Sequence, residues 1–146
     1  MSTVALDAIR KTVLVDFAPA EAFELFTTRI ASWWPVGTHS LGGDDVTDVV
    51  MEPRSGGRIY EVTATGEQDW GRVLDWDPPS RVLFDWQVGE ARDTEVEVRF
   101  SAEGRGTRVE LEHRDWESFG DEGAQTREHY DGGWVTVLGL YEDRLR

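Results

Sequence analysis

Three histidines are the residues of this sequence best suited to acid–base chemistry, because an imidazole titrates close to neutral pH. His39 lies in the segment ASWWPVGTHSLGG, residues 31–43, and His113 ends a run of alternating apolar residues. A general base needs an activating neighbour, and the sequence shows none beside His39. We therefore interpret His39 and His129 as surface residues and place His113 on an apolar strand face. Acid–base catalysis by His39 or His113 is kept as an alternative.

Seven tryptophans in 146 residues indicate a different kind of chemistry, the binding of a small apolar molecule. Large aromatic rings can fill a core or line a cavity. Trp33 and Trp34 lie at a predicted helix end or in the loop that follows it. Trp86 and Trp134 lie on apolar faces of a strand and a helix, and Tyr60 is expected to point inward. Small-molecule sites combine such rings with a few polar groups. The predicted ligand-binding wall has six members: Trp33, Trp34, Tyr60, Trp86, His113 and Trp134.

A pair of glycines, Gly132 and Gly133, precedes Trp134 in a segment with helical periodicity. Each glycine inside a helix costs roughly 0.5–1 kcal/mol relative to alanine. Two together are explained if a ligand or the loop that carries Trp33 and Trp34 needs the space. The alternatives are a kink in the helix or a helix that begins only at Gly133.

Other kinds of site are not supported by the sequence. The chain contains no cysteine, which excludes disulfides, thiolate nucleophiles and cysteine-based metal sites. Asp44, Asp45 and Asp48 resemble a cluster of oxygen ligands but lack the twelve-residue calcium pattern. Patterns for a zinc-binding histidine pair, a serine nucleophile elbow and a phosphate-binding loop are also missing. We therefore predict no metal and no cofactor.

The net charge of −14, from 29 acidic and 15 basic residues, repels phosphate backbones and anionic lipid surfaces. We expect neither nucleic acid nor a membrane as a partner. The sequence has no signal peptide pattern and no run of about 18 apolar residues. A cytoplasmic protein is the resulting expectation.

The elements that would position these residues follow from the hydrophobic period. Residues 9–17 predict a strand, and Pro19 and Glu21 suit the first turn of a helix. From residue 46 to 115 the period is two, which predicts antiparallel strands with one wet face, and Gly66–Glu67 is predicted as a hairpin turn. A long C-terminal helix must bury its apolar stripe on that sheet. The prediction is a single α+β domain over residues 1–146.

Five stretches in order resemble a known family: FAPAEAFELFTTRIASWWP, MEPRSGGRIYEV, WGRVLDWDPPSRVLFDWQ, TEVEVRFSAEGRGTRVELEHRDWE and YDGGWVTVLGLYEDRL. Together they are similar to the bacterial homologues of the C-terminal domain of the activator of Hsp90 ATPase, within the START/Bet v 1-like (SRPBCC) superfamily. The resemblance implies a helix-grip fold. In that fold a curved antiparallel sheet of about six or seven strands wraps around a long C-terminal helix, with two short helices after strand 1. It also implies a cavity for a hydrophobic ligand but no fixed catalytic motif.

Three functions remain open at this point. The leading hypothesis is a non-enzymatic domain that binds a small apolar or aromatic molecule. The alternatives are an enzyme of the polyketide cyclase or dehydratase kind and an acidic protein-interaction module. Hsp90 activation is not expected, because the chain has no room for the separate N-terminal domain with the main Hsp90-contacting motif. A homodimer is compatible with all three.

Overall fold

Seven antiparallel strands form one curled sheet, and a 24-residue helix, α2, packs on its inner face. The computed structural model describes residues 7–88, 92–116 and 121–145. The elements are β1 (Ile9–Val15), α1 (Pro19–Phe26), β2 (Val46–Met51), β3 (Arg58–Thr63), β4 (Gly66–Asp77), β5 (Arg81–Trp86), β6 (Thr94–Glu103), β7 (Gly106–Arg114) and α2 (Asp121–Arg144). The strand order in the sheet is β1-β7-β6-β5-β4-β3-β2. Short 3₁₀ turns span Ile30–Ser32 and Gly43–Asp45. The predicted helix-grip α+β fold is confirmed.

The alternation of side chains along the strands decides which face of the sheet receives α2. In β5, Val82, Phe84 and Trp86 are buried, while the residues between them are partly exposed. Antiparallel pairing places Val96 of β6 opposite both Phe84 and His113. Because consecutive side chains of a strand point to opposite faces, these buried residues form one continuous inner surface.

The first helix begins where its sequence predicts. Pro19 occupies the first turn of α1, and Glu21 places a negative charge near the positive end of the helix dipole. The predicted turn at Gly66–Glu67 is shifted, however. β4 already begins at Gly66, whose φ is +143°, and Glu67 pairs with Val62 of β3. The turn therefore lies at residues 64–65, two positions earlier than predicted. The positive φ of Gly66 occurs at the first residue of β4.

The helix α2 runs without interruption from Asp121 to Arg144, so Gly132 and Gly133 lie inside it and not at its start. Neither glycine has a positive φ. The predicted apolar stripe is buried against the sheet and α1: Trp134, Val137, Leu138, Tyr141 and Leu145 are each exposed by 3% or less. No helix within the described residues is long and apolar enough to cross a membrane.

Candidate functional site

A cavity of about 420 Å³ opens between the middle of α2 (residues 129–137), the end of β5 and the segment 34–40. Its inner wall consists of large apolar side chains: Trp34, Trp86, Val88, Trp134 and Val137. Its mouth is lined by polar groups and by the two helix glycines: Thr38, His39, Ser40, His129, Tyr130, Gly132, Gly133 and Thr136. An apolar interior with a few polar groups is typical of a small-molecule site.

Three indoles form the wall of this cavity. The ring centroid of Trp34 lies 6.2 Å from that of Trp86 and 5.9 Å from that of Trp134, and Trp86 and Trp134 are also 5.9 Å apart. Trp70 supports them from behind, with its centroid 5.1 Å from Trp34 and 5.7 Å from Trp86. These tilted and edge-to-face contacts are the arrangements that aromatic rings prefer. The wall is therefore held in place by the protein itself.

His113 lies behind the wall and not in it. Its Nδ1 accepts a hydrogen bond of 3.0 Å from Nε1 of Trp134, so its Nε2 carries the proton and donates to Thr94 Oγ1 at 2.7 Å. The side chain is completely buried, and this burial lowers the pKa of His113 to about 3. His113 thus orients the indole of Trp134 as a neutral ring and has no free nitrogen to offer a ligand.

The adjacent tryptophans Trp33 and Trp34 point to different parts of the interior. Trp34 Nε1 donates to the carbonyl of His39 at 2.8 Å, which fixes the segment at the cavity mouth. Trp33 Nε1 donates to the carbonyl of Leu25 at 2.7 Å, and its ring packs 4.9 Å from Tyr141. Trp34 therefore lines the cavity, while Trp33 belongs to the packed core beneath α1.

Tyr60 lies outside the cavity. In β3 the buried positions are Ile59 and Glu61, so Tyr60 is on the other face, where the guanidinium of Arg58 sits 4.2 Å from its ring centroid. Of the six residues predicted for the ligand wall, the structure brings three together around the cavity, Trp34, Trp86 and Trp134. Trp33, Tyr60 and His113 lie elsewhere.

Glu61 is a buried carboxylate that anchors the segment bearing His39. It accepts hydrogen bonds from the backbone N–H groups of Leu41 and Gly42, at 2.7 and 2.6 Å, and from Nε1 of Trp70 at 2.7 Å. A Cβ at Gly42 would lie 2.9 Å from Oε2 of Glu61, so a larger residue could not approach the carboxylate in the same way. The sequence signal was present as an acidic residue in an apolar strand, but its three partners are distant in sequence.

The polar mouth contains a hydrogen-bonded pair, Thr38 and His39, on the side of the cavity facing α2. Oγ1 of Thr38 lies 2.7 Å from Nδ1 of His39, and the opposite edge of the imidazole faces Gly133. Tyr130 closes the other side, where its hydroxyl donates to the carbonyl of Val88 at 3.2 Å and accepts from Nε1 of Trp86 at 3.4 Å. Thr38 is therefore a hydrogen-bond partner of His39, but as a hydroxyl group it is not the carboxylate that would activate a general base.

A second depression, of about 410 Å³, lies between α1 and the turn that joins β4 to β5. It is lined by Phe23, Trp76, Pro78 and Pro79, with two threonines at its edge. The hydroxyls of Thr27 and Thr28 bond to carbonyls of their own helix and are not offered to a ligand. The first cavity is therefore the candidate site. Within the described residues no group of three or more acidic or histidine side chains could hold a metal ion.

The curled sheet, the long helix and the cavity between them define a helix-grip domain. The chain belongs to the family of Activator of Hsp90 ATPase homolog 1-like proteins, whose family model matches residues 16–143. No curated protein sequence matches significantly.

Solved structures with the same fold include two proteins with appreciable sequence identity. The structure described as anthrahydroquino-Gama-pyrone synthase Txn09 complexed with SUM is 37% identical, with a TM-score of 0.56, over 87% of this chain and 88% of that one. The self-sacrificing resistance protein CalC from Micromonospora echinospora is 27% identical, with a TM-score of 0.74, over 95% and 94%. The Aha1 dimer from Colwellia psychrerythraea, at 19% identity, a TM-score of 0.69 and 96% of both chains, shares the fold.

Proposed function

We propose that this protein binds a planar, polycyclic aromatic molecule in the cavity between α2 and the sheet. The observation that carries the proposal is the cavity itself, about 420 Å³ in volume, with a wall of three indoles. A flat ring system can stack on, or meet the edges of, these indoles. Its burial would contribute about 25 cal/mol for each Å² of apolar surface removed from water.

The glycine pair supports the same proposal. A Cβ built at Gly132 would meet nothing within 4 Å, and one at Gly133 would only touch His39 at 3.9 Å. Packing within the chain therefore does not require glycine at either position. Both residues line the cavity, so the missing side chains leave volume that a ligand can occupy.

The relatives are consistent with an aromatic ligand. The name of Txn09 denotes a synthase whose product contains fused rings, and that protein is 37% identical to this chain. CalC, at 27% identity, is described as a resistance protein. By analogy, we propose the fused-ring class of ligand for this chain too.

The first test fills the cavity without removing any core contact. Gly132→Leu adds an isobutyl group at the cavity lining. Gly139→Leu is the control: it adds the same group to the same helix at a position that does not line the cavity. A Cβ at either position meets nothing within 4 Å. Both changes replace a helical glycine by a better helix former. Fluorene, a planar tricyclic hydrocarbon, serves as the probe, and equilibrium dialysis gives its dissociation constant.

We expect fluorene to bind to the wild type and to Gly139→Leu with similar affinity and at least ten-fold more weakly to Gly132→Leu. Thermal unfolding of the two variants checks that both remain folded. Equal binding by all three proteins would place the fluorene site outside this cavity. No binding to the wild type would refute the proposed function.

A second candidate function is ring-forming catalysis on such a molecule, favoured by the imidazole of His39 at the cavity mouth and by the 37% identity with a synthase. His113 is unsuited to this role, since both ring nitrogens are engaged and burial lowers its pKa to about 3. The test is an assay of the substrate of Txn09 with wild type and His39→Gln. Turnover that depends on His39 would establish the enzyme, and its absence with retained fluorene binding would leave a binding protein.

The alternative of an acidic interaction module has less support, because acidic groups on the outer sheet face are engaged by arginines. Glu97 is bonded by Arg81 and by Arg114, the latter at 2.9 Å, and Arg99 lies 3.2 Å away. Burial alone would raise the pKa of Glu97, but the bonds from Arg81 and Arg114 outweigh it and hold the pKa below its usual value. The negative charge of Glu97 is therefore neutralised within the sheet and is not offered to a partner.

A further inference from the structure

The proton arrangement of the pair Thr38 and His39 follows from its surroundings. The carbonyl of Pro35 already accepts the backbone N–H groups of Thr38 at 3.1 Å and His39 at 2.9 Å. The Thr38 hydroxyl lies 3.4 Å from that carbonyl but only 2.7 Å from Nδ1 of His39. A separation of 2.7 Å is normal for a hydroxyl donor, whereas 3.4 Å is long. The hydroxyl proton therefore goes to Nδ1, and the neutral imidazole carries its own proton on Nε2.

The Nε2–H group of His39 is directed towards the cavity side of α2. The imidazole edge formed by Nε2 and Cδ2 lies 3.9 Å from the position that a Cβ of Gly133 would occupy. Within the described residues, no side chain or carbonyl accepts a hydrogen bond from this nitrogen. The same nitrogen also carries a proton when the ring is cationic, so it is a donor in both charge states.

Most other donors of the cavity lining are already used within the protein. The three indole N–H groups of the wall and the hydroxyls of Tyr130 and Ser40 each have an acceptor: Trp34 donates to His39 O, Trp86 to Tyr130, Trp134 to His113, Tyr130 to Val88 O and Ser40 to Val36 O. The wall therefore offers ring faces and edges to a ligand. A polar atom on the ligand must be recognised at the mouth.

We infer that His39 Nε2–H donates a hydrogen bond to a carbonyl oxygen on the edge of the bound ring system. The ligand class is accordingly a planar aromatic ketone, of which quinones and pyrones are members. The inference rests on the proposed function, since it concerns the same cavity. Thr38 is the positioning residue, because its hydroxyl fixes the tautomer and the orientation of the imidazole.

The experiment compares two probes of nearly the same shape, 9-fluorenone and fluorene, which differ by one carbonyl group. Equilibrium dialysis gives both dissociation constants for the wild type, His39→Phe and Thr38→Val. His39 is half-buried on a surface segment, so phenylalanine preserves a ring there without the donor. Thr47→Val is the control for Thr38→Val, because Thr47 is also exposed and its hydroxyl bonds to the carbonyl of Val62, away from the cavity.

The quantity compared is the preference for fluorenone, which is the dissociation constant of fluorene divided by that of fluorenone. We expect this preference to be about five-fold larger in the wild type than in His39→Phe, the size of one ordinary hydrogen bond. Thr38→Val should lose part of the preference, while Thr47→Val should keep all of it. A change in packing at the mouth that affects both probes alike cancels in this ratio.

The experiment distinguishes a failure of the inference about His39 from a failure of the proposed function. If both probes bind and the preference is the same in wild type and His39→Phe, the carbonyl is not recognised by His39, and this inference is overturned while the proposed function stands. If neither probe binds to the wild type, the proposed function fails and the inference falls with it. A preference retained in Thr38→Val but lost in His39→Phe would remove the role of Thr38 alone.

Discussion

Two segments of α2 contact the same aromatic interior, residues 129–137 in its middle and residues 138–144 at its C-terminal end, but only the middle segment leaves space there. In the C-terminal segment, Tyr141 is completely buried, donates to the carbonyl of Ala22 at 2.7 Å and packs against Phe26 at 5.2 Å. In the middle segment, Trp134 meets two further indoles, yet the glycines beside it leave open volume. Both segments thus contact several aromatic rings. What differs is whether neighbouring side chains fill the space between the rings and the helix.

The adjacent tryptophans show the same difference within one turn of chain. Trp33 lies on the closed side, between Tyr141 and Phe26, and Trp34 lies on the open side, against Trp70 and Trp134. Both side chains are buried to nearly the same extent, 6% and 7% exposed. Burial therefore does not distinguish a core residue from a cavity residue. The two are distinguished by whether other side chains fill the space next to the ring or leave it open as part of the cavity.

The largest expected effect tests this difference directly. Trp33→Ala should lower the free energy of unfolding by about 3–5 kcal/mol, because it opens an empty void in the closely packed part of the interior. Trp34→Ala should cost at least about 1 kcal/mol less, since the space it leaves joins a cavity that water can enter. Urea denaturation of the two variants measures both values.

Equal losses for the two variants would mean that the half of the interior around Trp34 is as closely packed as the other. The comparison between the middle and C-terminal segments of α2 would then be wrong. Fluorene dialysis supplies an independent check, because binding should weaken in Trp34→Ala and survive in Trp33→Ala if enough protein remains folded.

Hydrophobic periodicity was sufficient to predict the sheet and the long helix, because β5, β6 and β7 each carry one clear apolar face and the part of α2 from Trp134 onward carries an apolar stripe. It was insufficient in β3, where Ile59, Tyr60 and Val62 are apolar at both phases of the alternation. The sequence therefore predicted Tyr60 as inward-facing, whereas Glu61 is buried instead. A buried carboxylate is stable only through its partners, and those partners come from other elements.

The sequence predicted a cavity lined by aromatic side chains, but it did not predict which of the candidate residues line it. The spacing of Trp86 and Trp134 on apolar faces indicated that they would approach each other. No local pattern could separate Trp33 from Trp34, because neither has a periodic neighbour that fixes its direction. The pairing of His39 with Thr38 depends on the turn at Pro35, whose carbonyl accepts the backbone N–H groups of both residues.

The pH dependence of stability tests whether the wall of three indoles keeps water away from His113. The pKa of His113 is lowered from 6.5 to about 3 by burial, so between these pH values the unfolded chain binds a proton that the folded chain excludes. The free energy of unfolding should therefore fall as the pH drops below 6.5, by about 2 kcal/mol between pH 7 and pH 5.

The control for this prediction is His113→Asn, in which the amide oxygen replaces Nδ1 as the acceptor for Trp134 but the side chain does not titrate. The wild type should lose about 2 kcal/mol more than this variant over the same pH range. His39, His129 and the carboxylates are present in both proteins and cancel in the difference. Parallel pH curves would mean that water reaches His113, so that the wall of indoles is not closed.

The smallest effect concerns two glycines of α2, one in the middle segment that lines the cavity and one in the closely packed C-terminal segment. Gly132→Ala and Gly139→Ala each place a methyl group where nothing lies within 4 Å. Each should raise the free energy of unfolding by about 0.5–1 kcal/mol through the better helix propensity of alanine. Thermal or urea unfolding measures the gain, and the double variant should show the sum, because the two sites are seven positions apart and share no neighbour.

The two alanine variants should differ in binding although they agree in stability. Only Gly132 lines the cavity, so Gly132→Ala should weaken fluorene binding and Gly139→Ala should not. A loss of stability in Gly132→Ala would show that glycine is needed there for the helix backbone, and the open volume would then be a by-product of folding. A gain in stability with weaker binding in Gly132→Ala would instead show that glycine at this position makes the helix less stable than alanine would. The wild-type glycine would then be explained by the space that it leaves for a ligand.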